Sequence, residues 1–103
     1  MLDEREFELR KSDIIYYKIE SIGKDRIQLD IEKSDGEKLE YKINTNPENP
    51  NISKVEEELK GGLDKLLSSD DLVMKIYEQN YRAYLYITFP DGNIKRYSML
   101  GFL

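Results

Sequence analysis

The chain has no histidine, no cysteine and no tryptophan, and it holds only three prolines and six glycines in 103 residues. Without a thiol or an imidazole it cannot assemble a disulfide, a Cys/His zinc site, a Ser-His triad or a cysteine nucleophile. The expectation is therefore a protein that is not an enzyme and needs no cofactor or metal. Long apolar runs are missing too: nothing approaches the ~18 residues of a membrane-spanning helix, and the opening stretch MLDEREFELRK lacks the apolar segment of a secretory signal. Both absences predict a cytoplasmic protein without membrane contact.

Charge and apolar residues are both well represented. Hydrophobic residues make up 39% of the chain, enough for one folded core, while 36% charged residues predict a heavily solvated exterior. A length of 103 residues suits a single domain over residues 1–103. The formal charge is −5 and is unevenly spread: residues 1–60 carry sixteen acids against eleven bases, whereas residues 80–103 carry Arg82, Lys95 and Arg96 against Asp91 alone. Net acidity disfavours non-specific nucleic-acid binding and favours basic protein partners.

Strand signals dominate. Glu6 to Arg10 alternates around Phe7 and Leu9 and reads as a short N-terminal strand. Ile14 to Ile22 admits a helix capped by Ser12, but IIYYKI is β-branched and aromatic and leads into the turn GKD, which favours a strand. Ile27, Leu29 and Ile31 then alternate with polar residues, as do Leu39, Tyr41 and Ile43 after KSDGE. A three-residue Ser-Asp-Gly loop pairs Ile31 with Leu39 and Leu29 with Tyr41, keeping the apolar faces together; a two-residue loop would mix them.

NTNPENPN reads as a loop. Beyond it, Ser53 and Glu56 have capping-box spacing, and Ile52, Val55, Leu59, Leu63, Leu66 and Leu67 recur as one helical face. Gly61-Gly62 should break or kink this helix, or let its backbone pack closely on a sheet. Leu72, Met74 and Ile76 alternate as a strand, and a last hairpin, YRAYLYITFPDGNIKRYSML, completes the expected order: βββ-α-βββ, an α+β fold of antiparallel meanders packed on one main helix, with the additional short strand at the N-terminus.

The two hairpins echo each other. Displacing residues 26–43 by 56 positions matches Arg26, Leu29, Ile31, Asp35, Gly36 and Tyr41 with identical residues at 82, 85, 87, 91, 92 and 97. Transferring the three-residue loop to PDG puts Tyr81, Ala83, Leu85, Ile87 and Phe89 on one face with Lys95, Tyr97 and Met99. The other face receives Arg82, Tyr84, Tyr86, Thr88, Ile94, Arg96, Ser98, Leu100 and Phe102. In the first hairpin the same positions hold Arg26, Gln28, Asp30, Glu32, Lys38, Glu40 and Lys42, a face built for water.

An apolar, aromatic second face needs a cover. Either the helix or the N-terminal segment of the same chain lies over it, or a second copy or another protein does. The reading taken is a non-catalytic protein-binding or assembly module of adaptor or inhibitor type, docking through Arg82, Tyr84, Tyr86, Ile94, Arg96, Leu100 and Phe102, with a homodimer as one form of that contact. Single-stranded nucleic acid stacked on the tyrosines and held by Arg82 and Arg96 is the alternative, disfavoured by net charge. A remoter one is a Mg-dependent nuclease using Asp30, Glu40 and Lys42, although alternating charges across an exposed hairpin arise for solubility alone.

Overall fold

A computed structural model describes residues 4–44 and 52–99. Among these residues seven strands, β1 (Glu4–Leu9), β2 (Ile14–Ser21), β3 (Arg26–Lys33), β4 (Lys38–Asn44), β5 (Met74–Gln79), β6 (Tyr84–Thr88) and β7 (Ile94–Met99), accompany one α-helix, α1 (Ile52–Leu66). The strands form one antiparallel sheet in the order β1-β5-β6-β7-β4-β3-β2. Two three-stranded meanders, β2-β3-β4 and β5-β6-β7, meet edge to edge where Ile43 pairs with Met99 and Asn44 with Ser98.

The two hairpin turns are alike. In the first, Lys33 N–H donates to Glu37 O at 2.8 Å, Gly36 N–H to Lys33 O at 3.0 Å and Glu37 N–H to the Asp35 carboxylate at 2.9 Å. In the second, Phe89 to Asn93, Gly92 to Phe89 and Asn93 to Asp91 repeat these bonds at 2.8, 2.9 and 2.9 Å. Gly36 and Gly92 both sit at φ +93°, a conformation that a Cβ would strain. The three-residue loops set the expected registers, Ile31 with Leu39 and Leu85 with Tyr97. Because the 56-residue displacement maps Ile43 onto Met99, the two meanders join at equivalent positions, as a two-fold-related pair would.

The sheet cannot be flat. β1 and β2 stand at its opposite ends, yet only Arg10–Asp13 separate them in the chain. Tyr41 on β4 donates its hydroxyl proton to Glu78 on β5, and Arg5 on β1 reaches Glu37 beside β4, with Nη2 2.8 Å from Oε1. In a flat sheet these partners would be about 14 and about 19 Å apart, at 4.7–4.9 Å per strand. The sheet therefore folds over, and the inner faces of the two meanders bury Ile27, Leu29, Ile31, Ile76, Leu85, Ile87 and Tyr97 against one another.

Helix α1 lies on the inner side, closest to β2 and then β3. Its apolar stripe, Val55, Leu59, Leu63 and Leu66, is buried. Beside that stripe its carboxylates take up hydroxyls from the sheet: Tyr17 donates to Asp64, Tyr97 to Glu58, and Ser21 Oγ to Glu56 at 2.8 Å. Burial, reinforced by these bonds, pushes the Tyr17 phenol up to about 12 and raises the Tyr97 phenol further.

Several expectations shift. The first strand is Glu4–Leu9 rather than Glu6–Arg10. The helix begins at Ile52, so Ser53 lies inside it and Glu56 faces Ser21 instead of closing a capping box. β6 begins only at Tyr84, because Asn80–Arg82 form a 3₁₀ turn and Ala83 is left-handed at φ 58°. Tyr81 is thereby exposed instead of sharing the core face with Leu85. Gly61 and Gly62 do not break the helix, which runs through both.

The glycines play different parts. A Cβ on Gly62 would fall 2.2 Å from Cδ1 of the buried Phe89 ring, whereas one on Gly61 would meet open space. Gly62→Ala should therefore lower stability by roughly 1 to 3 kcal/mol through overpacking. Gly61→Ala should raise it by about 0.5 to 1 kcal/mol through helix propensity. Urea denaturation of the two variants measures both signs.

Glu37 supplies a pH signature. Hydrogen bonds from Arg5 and Lys33 hold its carboxyl at about 2, below its ordinary 4.5, so the folded chain releases this proton more readily than the unfolded one. Its stabilisation is complete above about 4.5 and fades as pH falls toward 2. The side chain is 32% exposed, so solvent screening keeps the pair to about 0.5 to 1 kcal/mol at low salt. Glu37→Gln should cost that amount at neutral pH and flatten this part of the acid-denaturation curve, and 0.5 M salt should shrink the difference.

Candidate docking surface

On the outer face of β1-β5-β6-β7 the register lines up three cross-strand rows. Glu6, Tyr77, Tyr86 and Arg96 form the middle row; Glu4, Gln79, Tyr84 and Ser98 flank it on one side, Glu8, Lys75, Thr88 and Ile94 on the other. The alternation that buries Met74, Ile76, Leu85, Ile87, Tyr97 and Met99 places these side chains outward. Across the face, composition changes from a glutamate column on β1, through a tyrosine ridge on β5 and β6, to Ile94 and Arg96 on β7.

The ridge is held together by ring contacts. Tyr77 and Tyr86 lie 5.7 Å apart between centroids, tilted by 30°, and Tyr84 meets Tyr86 edge-on at 6.4 Å. The Arg96 guanidinium stands 4.6 Å over the Tyr84 ring, and Gln79 Nε2 donates to the Tyr77 hydroxyl at 3.1 Å. Tyr77, Tyr84 and Tyr86 are half-buried, while Ile94 keeps 65% of its surface exposed. Among the described residues neither candidate cover within the chain lies over this face: α1 occupies the opposite side, and β1 extends the sheet beside β5.

The sequence-derived residues are placed as follows. Tyr84, Tyr86, Ile94 and Arg96 converge on the outer face. Arg82 does not join them by strand alternation; it lies in the 3₁₀ turn, exposed, its guanidinium 5.3 Å over the Tyr81 ring. Leu100 and Phe102 lie outside the described residues. Tyr77 and the glutamate column are functional candidates that sequence reading missed. Parity alone could have found Tyr77, since it alternates with Met74 and Ile76; the column depends on β1 joining β5, a pairing between distant segments.

The remaining candidates, Asp30, Glu40 and Lys42, share the outer face of the first hairpin. Asp30 and Glu40 are cross-strand neighbours, Lys42 follows two residues along β4 opposite Gln28, and the Gln28 amide donates to Asp30 at 3.0 Å. No group of three or more His, Cys, Asp or Glu side chains suited to a metal ion occurs among the described residues. A cleft of about 390 Å³ at the seam of the meanders is lined by the pairs Arg5–Glu37 and Tyr41–Glu78 and by the polar side chains of Lys38, Glu40, Lys42 and Asn80. On the tyrosine face a depression bordered by Tyr77, Tyr86 and Ile94 measures about 230 Å³, smaller than a typical small-molecule pocket. No described helix is long and apolar enough to cross a membrane. No protein-family model, curated protein or solved structure matches the chain.

Proposed function

We propose that this protein is a non-catalytic binding or assembly module, of adaptor or inhibitor type, whose outer face on β5-β6-β7 docks onto another protein. The observation that carries the reading is the tyrosine ridge with Ile94 beside it on a sheet face that no described element of the chain covers. Tyrosine supplies large contact area at low entropic cost, and both tyrosine and arginine are enriched at the centres of protein interfaces. The glutamate column along one margin favours a partner with Lys or Arg at the matching border of its apolar patch. A second copy docked face to face about an axis parallel to the strands would set Glu6 of one chain near Arg96 of the other, so self-association belongs to the same reading.

Single-stranded nucleic acid is the competing ligand for stacked tyrosines. Three glutamates beside the ridge oppose a phosphate backbone, and among the described residues of these strands the face sets Lys75 and Arg96 against them. The net charge of −5 acts in the same direction.

Tyr84→Ala/Tyr86→Ala is the test, because both rings lie outside the core and the double variant should keep its fold by circular dichroism. Binding to a partner identified by cross-linking should weaken by about 100-fold or more, the scale of paired interface hot spots, with light scattering reporting any self-association. Unchanged affinity and unchanged mass in the folded double variant would overturn the proposal. Tight, salt-dependent binding of a labelled oligonucleotide to the wild type, lost in the variant, would replace it with the nucleic-acid reading.

A further inference from the structure

The two ends of the sheet are unequal. β1 offers an edge whose outward side chains are Glu4, Glu6 and Glu8, so pairing with its own copy in any face-matched register sets carboxylate against carboxylate. β2, the other terminal strand, has no such guard. Its sequence IIYYKIES is strongly β-forming, contains no proline, and exposes Ile15 at 65% and Tyr16 at 54%.

The hydrogen-bond phase of this edge is set by its neighbour. Ile22 N–H donates to Arg26 O at 3.0 Å, in line with the β2/β3 register of Glu20 with Gln28 and Lys18 with Asp30. Antiparallel ladders alternate, so the backbone groups of Lys18 and Glu20 point at β3 while those of Tyr17, Ile19 and Ser21 point away from the sheet. Their side chains go inward, Tyr17 to Asp64 and Ser21 to Glu56. Lys18 and Glu20 project from the outer face, 3.2 Å apart and about half exposed.

We propose that β2 pairs with β2 of a second copy of this chain, antiparallel and centred on Ile19, forming a two-fold dimer by sheet extension. In that register Ile19 faces Ile19 and Tyr17 faces Ser21 twice, so every outward backbone group of Tyr17, Ile19 and Ser21 finds a partner. On the outer face Lys18 of each copy stands opposite Glu20 of the other, giving two ion pairs, and Tyr16 stands opposite the exposed Ile22. The neighbouring face-matched registers lose this complementarity. Centring on Lys18 or Glu20 opposes like charges, and centring on Tyr17 sets Lys18 against Tyr16. Within the chain, β4 and β7 already make this kind of contact, joining antiparallel at the equivalent positions Ile43 and Met99.

Charge exchange tests the register. Sedimentation of the wild type up to millimolar concentration should show a monomer–dimer equilibrium. Glu20→Lys and Lys18→Glu should each weaken it about 30-fold, since each turns two opposite-charge pairs into like-charge pairs. Mixing the two single variants should restore pairing as a heterodimer, and Lys18→Glu/Glu20→Lys in one chain should restore the homodimer. Glu20→Lys faces only Gln28 across β3 and keeps the fold, which makes it the decisive single variant. Amide exchange needs no mutation: protection at Tyr17, Ile19 and Ser21 should rise with protein concentration. A wild type that stays monomeric, a mixture that fails to pair, or unchanged protection of those three amides on dimerisation would overturn the proposal. Dimerisation abolished by Tyr84→Ala/Tyr86→Ala but indifferent to the charge variants would also overturn it and assign self-association to the tyrosine face.

Discussion

The whole architecture depends on the four residues Arg10–Asp13, which tie together strands at opposite ends of the sheet. So short a link, with the Arg5–Glu37 and Tyr41–Glu78 contacts beyond it, lets the sheet exist only folded over, one meander's inner face against the other. The core then belongs to the two meanders jointly, and α1 needs to bury only a narrow stripe along the side nearest β2. This arrangement also accounts for the inner tyrosines. A phenol buried between layers needs an acceptor, and Glu78 and Glu58 supply one each to Tyr41 and Tyr97, while Asp64 accepts from the half-buried Tyr17. Among the described residues no buried side-chain polar atom lacks a partner.

Folding over also decides which surfaces remain for other molecules. Both outer faces and both sheet edges stay outside, and their compositions diverge although the hairpins share a turn and a register. On β3-β4 the outward positions hold Gln28, Asp30, Glu32, Lys38, Glu40 and Lys42, which water solvates readily. On β6-β7 the corresponding positions hold Tyr84, Tyr86, Ile94 and Arg96. Two halves under the same folding constraint would have no folding reason to differ on their solvent sides. The difference is therefore where a functional reading has purchase, and the same holds for the contrast between an edge lined by glutamates and one that is not.

Local chemistry made much of this legible from sequence. Ser-Asp-Gly and Pro-Asp-Gly specify three-residue loops, and the loops specify which side chains share a face, so the placement of Tyr84, Tyr86, Ile94 and Arg96 followed from turn chemistry alone. The helix and the inner alternation were legible for the same reason. Three features were not. Pairing of β1 with β5 joins segments about seventy residues apart, and no local pattern encodes a partner at that separation. The left-handed Ala83 delays β6 and removes Arg82 from the face; alanine carries no signal for that conformation, whereas glycine would have announced it. Gly62 and Gly61 look identical in sequence, and only the position of the Phe89 ring separates them.

Partners divide six of the eight tyrosines into two kinds. Tyr17, Tyr41 and Tyr97 face inward, and each hydroxyl is bound to a carboxylate, so their role is to close the core without leaving a polar atom unsatisfied. Tyr77, Tyr84 and Tyr86 face outward and are held chiefly by each other, by Gln79 and by Arg96. A core made of the two folded meanders and α1 is complete without that second group. For the proposed docking, clustering of the ridge would bring preorganisation: rings already restrained by their neighbours lose little further entropy when another surface is laid on them. A sheet face that needed only to be wet would serve better with the threonines, lysines and glutamates that this chain uses freely elsewhere.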